Sequence, residues 1–434
     1  MNYSQIKVKV KKLQLEKLAK LSGFEQRSAR KIDSVSFVVG FWFMLSSTKF
    51  SLTSWVHQIS IMTNQVVSKQ GLNQRIKRAV RFSELVLSKC LEQSFDRLDG
   101  LAPWWQQFNH VYIQDSSCLA LPSSLADCFP GSVNKRGQNA TARIQLCFDL
   151  LSGQYHHLEL KAFRNNDQSH SAEILPMLEA GDLVIRDLGY WSLNVFRQII
   201  EKQAYLLSRL RYKVFIYSTK EEKINLDEAL IKSQKEGHKV YRKKILVGAA
   251  AKIPMTLVAI KVPAHVAQSR KQKAKKNRDK RLKPDAFYYK RLEWTIFITN
   301  APNVSYKHLL KAYGIRWQIE IIFKTWKSEF DMNMLFDKHK TLNAQRVKVS
   351  FYLFLAFQVY CNSRWQAFWQ KMAFQKQKTW LSTIKLASFI RVHFTRILAQ
   401  QDQLEVFNEL VIYYCAYESR NRKHALMTLN NPLT

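Results

Sequence analysis

The chain has 434 residues, is 47% hydrophobic and 12% aromatic, and carries 68 Lys and Arg against 33 Asp and Glu, a net charge of +35. That apolar content excludes a disordered protein and that length allows two or three domains with a sizeable core, while so large a cationic excess points to nucleic acid or, less well, an acidic membrane surface. Apolar runs at 37–45 and 351–361 are too short to span a bilayer, which takes about 20 residues.

The charged N-terminus lacks the apolar segment of a signal peptide. Six scattered cysteines, Cys90, Cys118, Cys128, Cys147, Cys361 and Cys415, show no metal-ligand spacing and read as reduced, mostly buried thiols of a cytoplasmic protein. Neither a Walker A loop nor a GxGxxG fingerprint is present, so ATP-driven motors and dinucleotide enzymes drop out.

Residues 1–32 hold nine Lys and Arg against two acids in a helical pattern through Leu13, Leu15, Leu18 and Leu21. Residues 51–95 read as several short helices. Among them, Ser68 to Leu72 suggests a turn into a helix with Leu72, Ile76, Ala79, Val80, Ser83 and Leu87 on one face. Arg75, Lys77, Arg78 and Arg81 lie on or beside the other. That arrangement suits a helix-turn-helix reader of the major groove, and equally an ordinary bundle with a solvated basic face.

From His110 the pattern turns to strands. Residues 111–115 form a short run ending on Asp115, before Ser116 and Ser117. Residues 142–150 and 155–163 read as a hairpin turning at Ser152 and Gly153. A helix at 171–179 precedes a strand at 182–187, which ends on Asp187 before Leu188, Gly189 and Tyr190. A helix at 193–202 leads to a strand at 204–209. Three antiparallel strands followed by alternating helices and strands match the mixed sheet of an RNase H-like α/β fold.

Residues 214–290 interrupt that order with strands at 239–247 and 255–262. From Arg270 to Lys283 come nine cations and one acid, Asp279, which read as a phosphate-tracking arm, with a solvated helix or loop as the plain alternative. The sheet resumes at 294–299. Residues 347–360 form an apolar core helix. The rest is helical in pattern, with a basic tail through Arg420, Arg422 and Lys423.

Residues 313–327 carry the most information. Ile315, Ile319, Ile322, Phe323, Trp326 and Phe330 recur at helical spacing. Tyr313, Arg316, Glu320 and Lys327, spaced 3, 4 and 7 apart, fall on a second stripe of the same predicted helix. A surface helix with Arg316–Glu320 and Glu320–Lys324 ion pairs is the plain alternative. A carboxylate between a phenol and two cations is also what a metal-binding acid among phosphate-binding groups requires.

Asp115 and Asp187 each close a strand-like run, and Glu320 follows on the helix. At the carboxyl ends of strands in an open sheet, acids collect at one edge. Two Asp and a Glu there could hold two divalent metals about 3.5–4 Å apart, and oxygen ligands favour Mg²⁺ or Mn²⁺. Either Asp could instead serve a turn.

The Tyr-x2-Arg-x3-Glu-x6-Lys spacing resembles the signature of bacterial Asp-Asp-Glu insertion-sequence transposases of family four. Asp115-Ser-Ser-Cys-Leu-Ala-Leu-Pro122 and Asp187-Leu-Gly189-Tyr190 are similar to that family's two Asp motifs, and Thr299-Asn300 to its strand end before the signature. The resemblance covers about residues 105–345. Where the usual pattern has Asp-Ser-Thr, this chain has Asp-Ser-Ser. The resemblance implies that Asp115, Asp187 and Glu320 are metal ligands and catalytic. Tyr313, Arg316 and Lys327 would then contact DNA phosphates, with Asp167 a supporting acid.

It further implies Mg²⁺ as cofactor, with Mn²⁺ able to substitute, and double-stranded transposon-end and target DNA as partners. A homodimer on DNA, no ATP, no membrane and a bacterial cytoplasmic location complete the expectation. The domains expected are a helical DNA-binding region at 1–105, the RNase H-like core at 106–213 and 291–364, a β-rich basic insertion at 214–290 and a helical region at 365–434. An inactive, domesticated DNA-binding protein is the alternative function. A metal-dependent nuclease of RNase H type is a further one.

Overall fold

The computed structural model describes the chain except residues 1, 27–30, 48–49, 93–95, 97, 99–100, 135–136, 165–166, 278–286, 338–341, 419–426, 428 and 430–434. The strands are β1 (Val111–Leu121), β2 (Pro130–Asn134), β3 (Gly137–Asp149), β4 (Tyr155–Ala162), β5 (Leu183–Arg186), β6 (Tyr205–Arg209), β7 (Ile216–Tyr217), β8 (Val240–Val247), β9 (Ile253–Lys261) and β10 (Trp294–Thr299). The helices used below are α1 (Ser34–Leu45), α2 (Leu52–Thr63), α3 (Lys69–Lys77), α4 (Val80–Leu91), α5 (Leu193–Glu201), α6 (Ala264–Asn277), α7 (Tyr306–Ile315), α8 (Gln318–Ser328), α9 (Ala344–Phe357) and α10 (Thr383–Ala399). The chain forms two compact units that do not follow chain order: Met1–Leu98, Asp115–Asn165 and Gln318–Thr428 make one, and Asp99–Gln114, Asn166–Trp317 and Leu429–Thr434 the other.

The first unit is built around α1, all twelve of whose residues are buried. Asp33 starts it with a capping box, its side chain accepting from the Ser36 amide at 2.7 Å, which satisfies a donor the helix itself leaves unpaired. Gly40 lets α2 come close, because a Cβ there would stand 2.6 Å from Ile59 Cγ1. Trp42 Nε1 donates to the Leu353 carbonyl of α9 at 3.0 Å. A helix apolar on all sides is a core helix, so the run at 37–45 is buried by its neighbours. Among the described residues no helix is long and apolar enough to cross a membrane.

In the same unit the β3–β4 hairpin pairs Leu146 with Leu158 and turns at Gly153, whose φ is +76°, a value that glycine adopts without steric penalty. The apolar stripe of α8 is wedged between this hairpin and α9. Trp326 lies 6.1 Å from the Tyr155 ring and 6.0 Å from Phe354, and Phe330 lies 5.6 Å from Phe357. That packing turns the polar side of α8 outward.

The second unit is a mixed sheet in the order β1-β5-β6-β10-β9-β8-β7. The start of β1 runs parallel to β5, with Val111 opposite Leu183 and Ile113 opposite Ile185, and β5 runs parallel to β6. The centres of these strands, Leu183, Val184 and Ile185 on β5 and Leu206 and Leu207 on β6, are buried and apolar on successive residues, as a sheet covered on both faces requires. β10 then pairs antiparallel with β6 and with β9. Asn300 closes β6 by accepting from the Leu206 amide at 2.7 Å and donating to the Ala204 carbonyl at 3.0 Å. Parallel strands with the α5 crossover, extended by antiparallel ones, make this an RNase H-like α/β core with helical regions.

Several expectations need correcting. β1 does not stop at Asp115 but continues to Leu121. The helix expected from Ser68 onward is two helices, α3 and α4, broken at Arg78–Ala79. Leu21 is exposed. The strands at 240–247 and 253–261 do not stand apart from the sheet, since β9 joins β10 directly. Arg75 faces inward: its guanidinium donates to the Phe24 and Ile32 carbonyls at 2.9 and 2.8 Å and lies 4.1 Å over the Phe24 ring. The basic tail through Arg420, Arg422 and Lys423 lies outside the described residues. All six cysteines are free thiols, with Cys118 and Cys128 exposed and the others buried.

Candidate active site

In the first unit, Asp115 and Glu320 line one open cleft of about 570 Å³ with Ser116, Ser117, Phe323, Lys324, Lys327 and Ser328. β1 supplies the Asp-Ser-Ser run and α8 the rest, whose spacing follows from a helix packed on its apolar stripe. The Ser116 amide donates to Asp115 Oδ1 at 2.8 Å, and Arg143 donates to Ser116 Oγ at 3.1 Å. Lys327 Nζ donates to Ser117 Oγ at 2.6 Å and to the Cys118 carbonyl at 3.3 Å. Burial holds the Lys327 ammonium below its ordinary pKa. Two carboxylates and three serine hydroxyls around one cleft form an oxygen-donor set for a hard cation, and two lysines place positive charge at hand for an anionic ligand.

In the second unit, Asp187 directly follows β5 and opens the turn Leu188–Tyr190. The Tyr313 hydroxyl donates to Asp187 Oδ1 at 3.1 Å. Burial, and next the Asp187 charge, push that phenol up to about 12, so Tyr313 keeps its proton and remains a donor at neutral pH. Its ring lies 5.3 Å from Phe297 on β10, and the Arg316 guanidinium stands 5.6 Å from the ring centroid. Asp167 rests against the turn: its Oδ2 is 3.1 Å from where a Cβ on Gly189 would stand. Ile113 is opposite Ile185, and Asp187 comes two residues after Ile185, just past the end of β5.

The stretch from Tyr313 to Lys327 is not one helix. α7 ends at Ile315 and α8 begins at Gln318, with the Trp317 amide reaching back only three residues to the Gly314 carbonyl at 3.3 Å. Gly314 is the weakest helix former of the stretch, and the tightened turn is how the first helix closes. Tyr313 and Arg316 therefore belong to the end of α7, Glu320 and Lys327 to α8. The structure joins Tyr313 to Asp187 in one unit, and Asp115, Glu320 and Lys327 around a cleft in the other. Sequence reasoning missed Ser117 as the Lys327 acceptor, for which only its place beside Asp115 gave a hint.

The protein family described as "Transposase DDE domain" matches residues 106–356, more than half the chain. The transposase for insertion sequence element IS231B of Bacillus thuringiensis subsp. berliner is 29% identical over 87% of this chain and 82% of its own length. The transposase for insertion sequence element IS231F of Bacillus thuringiensis subsp. israelensis is 28% identical over 94% of this chain and 89% of its own. That for IS1151 of Clostridium perfringens is 23% identical over 74% and 72%. Among solved structures, a piggyBac transposase synaptic complex with hairpin DNA aligns with 96% of this chain and 86% of its own at a TM-score of 0.42 and 10% identity, a likeness too distant to carry an inference.

Proposed function

The chain belongs to the family of DDE-domain transposases, and we propose that it binds the terminal inverted repeats of its own insertion sequence, cuts there and joins the ends to target DNA. The observation that carries this reading is the Asp115–Glu320 cleft, with Lys327 held beside it by Ser117. Asp115, Asp187 and Glu320 are the proposed metal ligands. Their carboxylates suit Mg²⁺, with Mn²⁺ as substitute, better than a thiolate-seeking metal. Two such ions, when bound, lower the pKa of an attacking water or 3′-hydroxyl and stabilise the leaving oxygen.

The protein's own groups do the rest. Tyr313, a proton donor at neutral pH, holds Asp187 in one orientation through its hydroxyl. Lys327 and Arg316 place positive charge for phosphate oxygens, Arg through its planar fork and Lys as a point charge. Lys273, Lys275 and Lys276 on the outer face of α6 are exposed and extend the phosphate-binding surface. Arg270 and Lys271 of the same helix are used inward, on Thr295 at 3.0 Å and Glu293 at 2.6 Å. The expected arm at 270–283 is thus in part a docking face, and its residues 278–283 lie outside the described ones. No step needs ATP, and two ends brought together call for a dimer on DNA.

The test is Mg²⁺-dependent cleavage of a plasmid carrying the DNA that flanks the gene, comparing wild type with Glu320→Gln. Wild type cuts at the repeat boundaries, and the variant binds the ends without cutting. Cutting by Glu320→Gln at the wild-type rate removes Glu320 from the metals. Binding without cutting by wild type instead supports a DNA-binding repressor.

A further inference from the structure

Arg186, the residue before Asp187, is fully buried. Its Nη2 donates to Gln114 Oε1 at 3.2 Å and to the Ser171 carbonyl at 2.5 Å. Its Nη1 donates to Ser171 Oγ and, at 3.4 Å, to the Tyr190 carbonyl. Gln114, buried as well, is the residue before Asp115, and its Nε2 donates onward to the His170 carbonyl at 3.3 Å. Gln114 and Arg186 each follow a residue of the Ile113–Ile185 pair, so they share one face of two adjacent parallel strands. The alternation of side chains sends the next residue of each strand the opposite way.

We propose that Arg186 and Gln114 form a buried clamp that sets the register of β1 against β5 and the shape of the turn 187–190, and so positions Asp187 for metal. A guanidinium is a poor choice for a core merely to be filled, because its desolvation is unfavourable unless its donors are satisfied. Here the planar fork reaches three segments at once: β1, the 3₁₀ turn Ser171–Met177, and the carbonyl that ends the Asp187 turn. A lysine supplies the charge without the fork. Arg186 and Gln114 are positioning residues, touching neither metal nor DNA, and the assignment rests on Asp187 being a ligand.

The experiment measures Mn²⁺ binding to the full-length protein by electron paramagnetic resonance. It is read beside end binding without metal, thermal melting and the single-turnover cleavage rate. The variants are Arg186→Gln, Arg186→Lys and Gln114→Leu, with Asp187→Asn as reference. Outer partners of metal ligands change metal affinity by about 10- to 100-fold. The clamp predicts a rise of that order in half-saturating Mn²⁺ for Arg186→Gln and Arg186→Lys, and a smaller rise for Gln114→Leu, with end binding retained and excess Mn²⁺ partly restoring the rate. Wild-type Mn²⁺ affinity in folded Arg186 variants overturns it. If both Arg186 variants fail to fold, wild-type affinity in Gln114→Leu does so. Unchanged Mn²⁺ affinity and cleavage in Asp187→Asn overturns the ligand reading itself.

Discussion

Asp187 and the Asp115–Glu320 pair sit in surroundings of opposite design. Asp187 has a buried guanidinium at the preceding residue and a half-buried Tyr313, protonated at neutral pH, donating to it. Asp115 and Glu320 face an open cleft with Lys324 and Lys327 on its wall. In one neighbourhood the two Nη groups of Arg186 and the Tyr313 hydroxyl donate to protein acceptors. The other is accessible and cationic. Orientation of a ligand comes from packed partners, whereas recruitment of a polyanion comes from exposed charge, and on the proposed reading the chain keeps the two tasks apart.

The largest effect that sharpens this contrast is expected from Asp115→Asn. Single-turnover cleavage falls about 10³-fold while end binding holds, since a ligand charge is lost but no phosphate contact. A fall in binding equal to the fall in rate breaks the contrast, because the open cleft would then have no chemical task of its own.

Next is Tyr313→Phe. Removing a hydrogen bond to a charged acceptor is worth about 1.5 kcal/mol or more, about tenfold in rate, with half-saturating Mn²⁺ raised. A rate unchanged by Tyr313→Phe means the Asp187 neighbourhood does not need its tyrosine.

Lys327 tests the cationic side. Lys327→Met lowers the slope of log affinity against log salt by about one. Burial lowers the Lys327 pKa, so the ammonium gives up its proton earlier in the folded protein as pH rises. End binding therefore weakens below the ordinary lysine range, and Lys327→Arg carries binding to higher pH. Across the same window the unfolded chain holds the extra proton, so folding stability rises with pH while DNA affinity falls. Paired titrations of melting temperature and binding read both signs.

The smallest effect is Ser117→Ala, which takes the 2.6 Å acceptor from Lys327. The expected loss is about 1 kcal/mol, fivefold or less in end affinity, measured by gel shift. A larger loss would give Ser117 a DNA contact of its own.

Much of this was legible along the chain. Local alternation and turn residues located the strands expected at 155–163, 182–187 and 294–299 within a residue of where they lie, and the end but not the start of the one expected at 142–150, which begins at Gly137. The apolar run at 37–45 and the stripe of α8 were equally visible, because both follow from residue types and their spacing along the chain. The short β2 and β7, with few apolar residues of their own, gave no such signal.

The sequence by itself determined the residue types of the candidate site, their order, the α/β class and the cationic balance that calls for DNA, since all of these are local or additive. Only the tertiary structure decided that the signature stretch breaks at Arg316–Trp317, that Arg75 and Arg270 face inward while Lys273, Lys275 and Lys276 do not, and that Arg186 reaches Gln114. Whether a cation is displayed or consumed depends on which carbonyls and rings fold up against it. Those partners stand as much as 72 residues away in the chain for Arg186, beyond the reach of any local spacing rule.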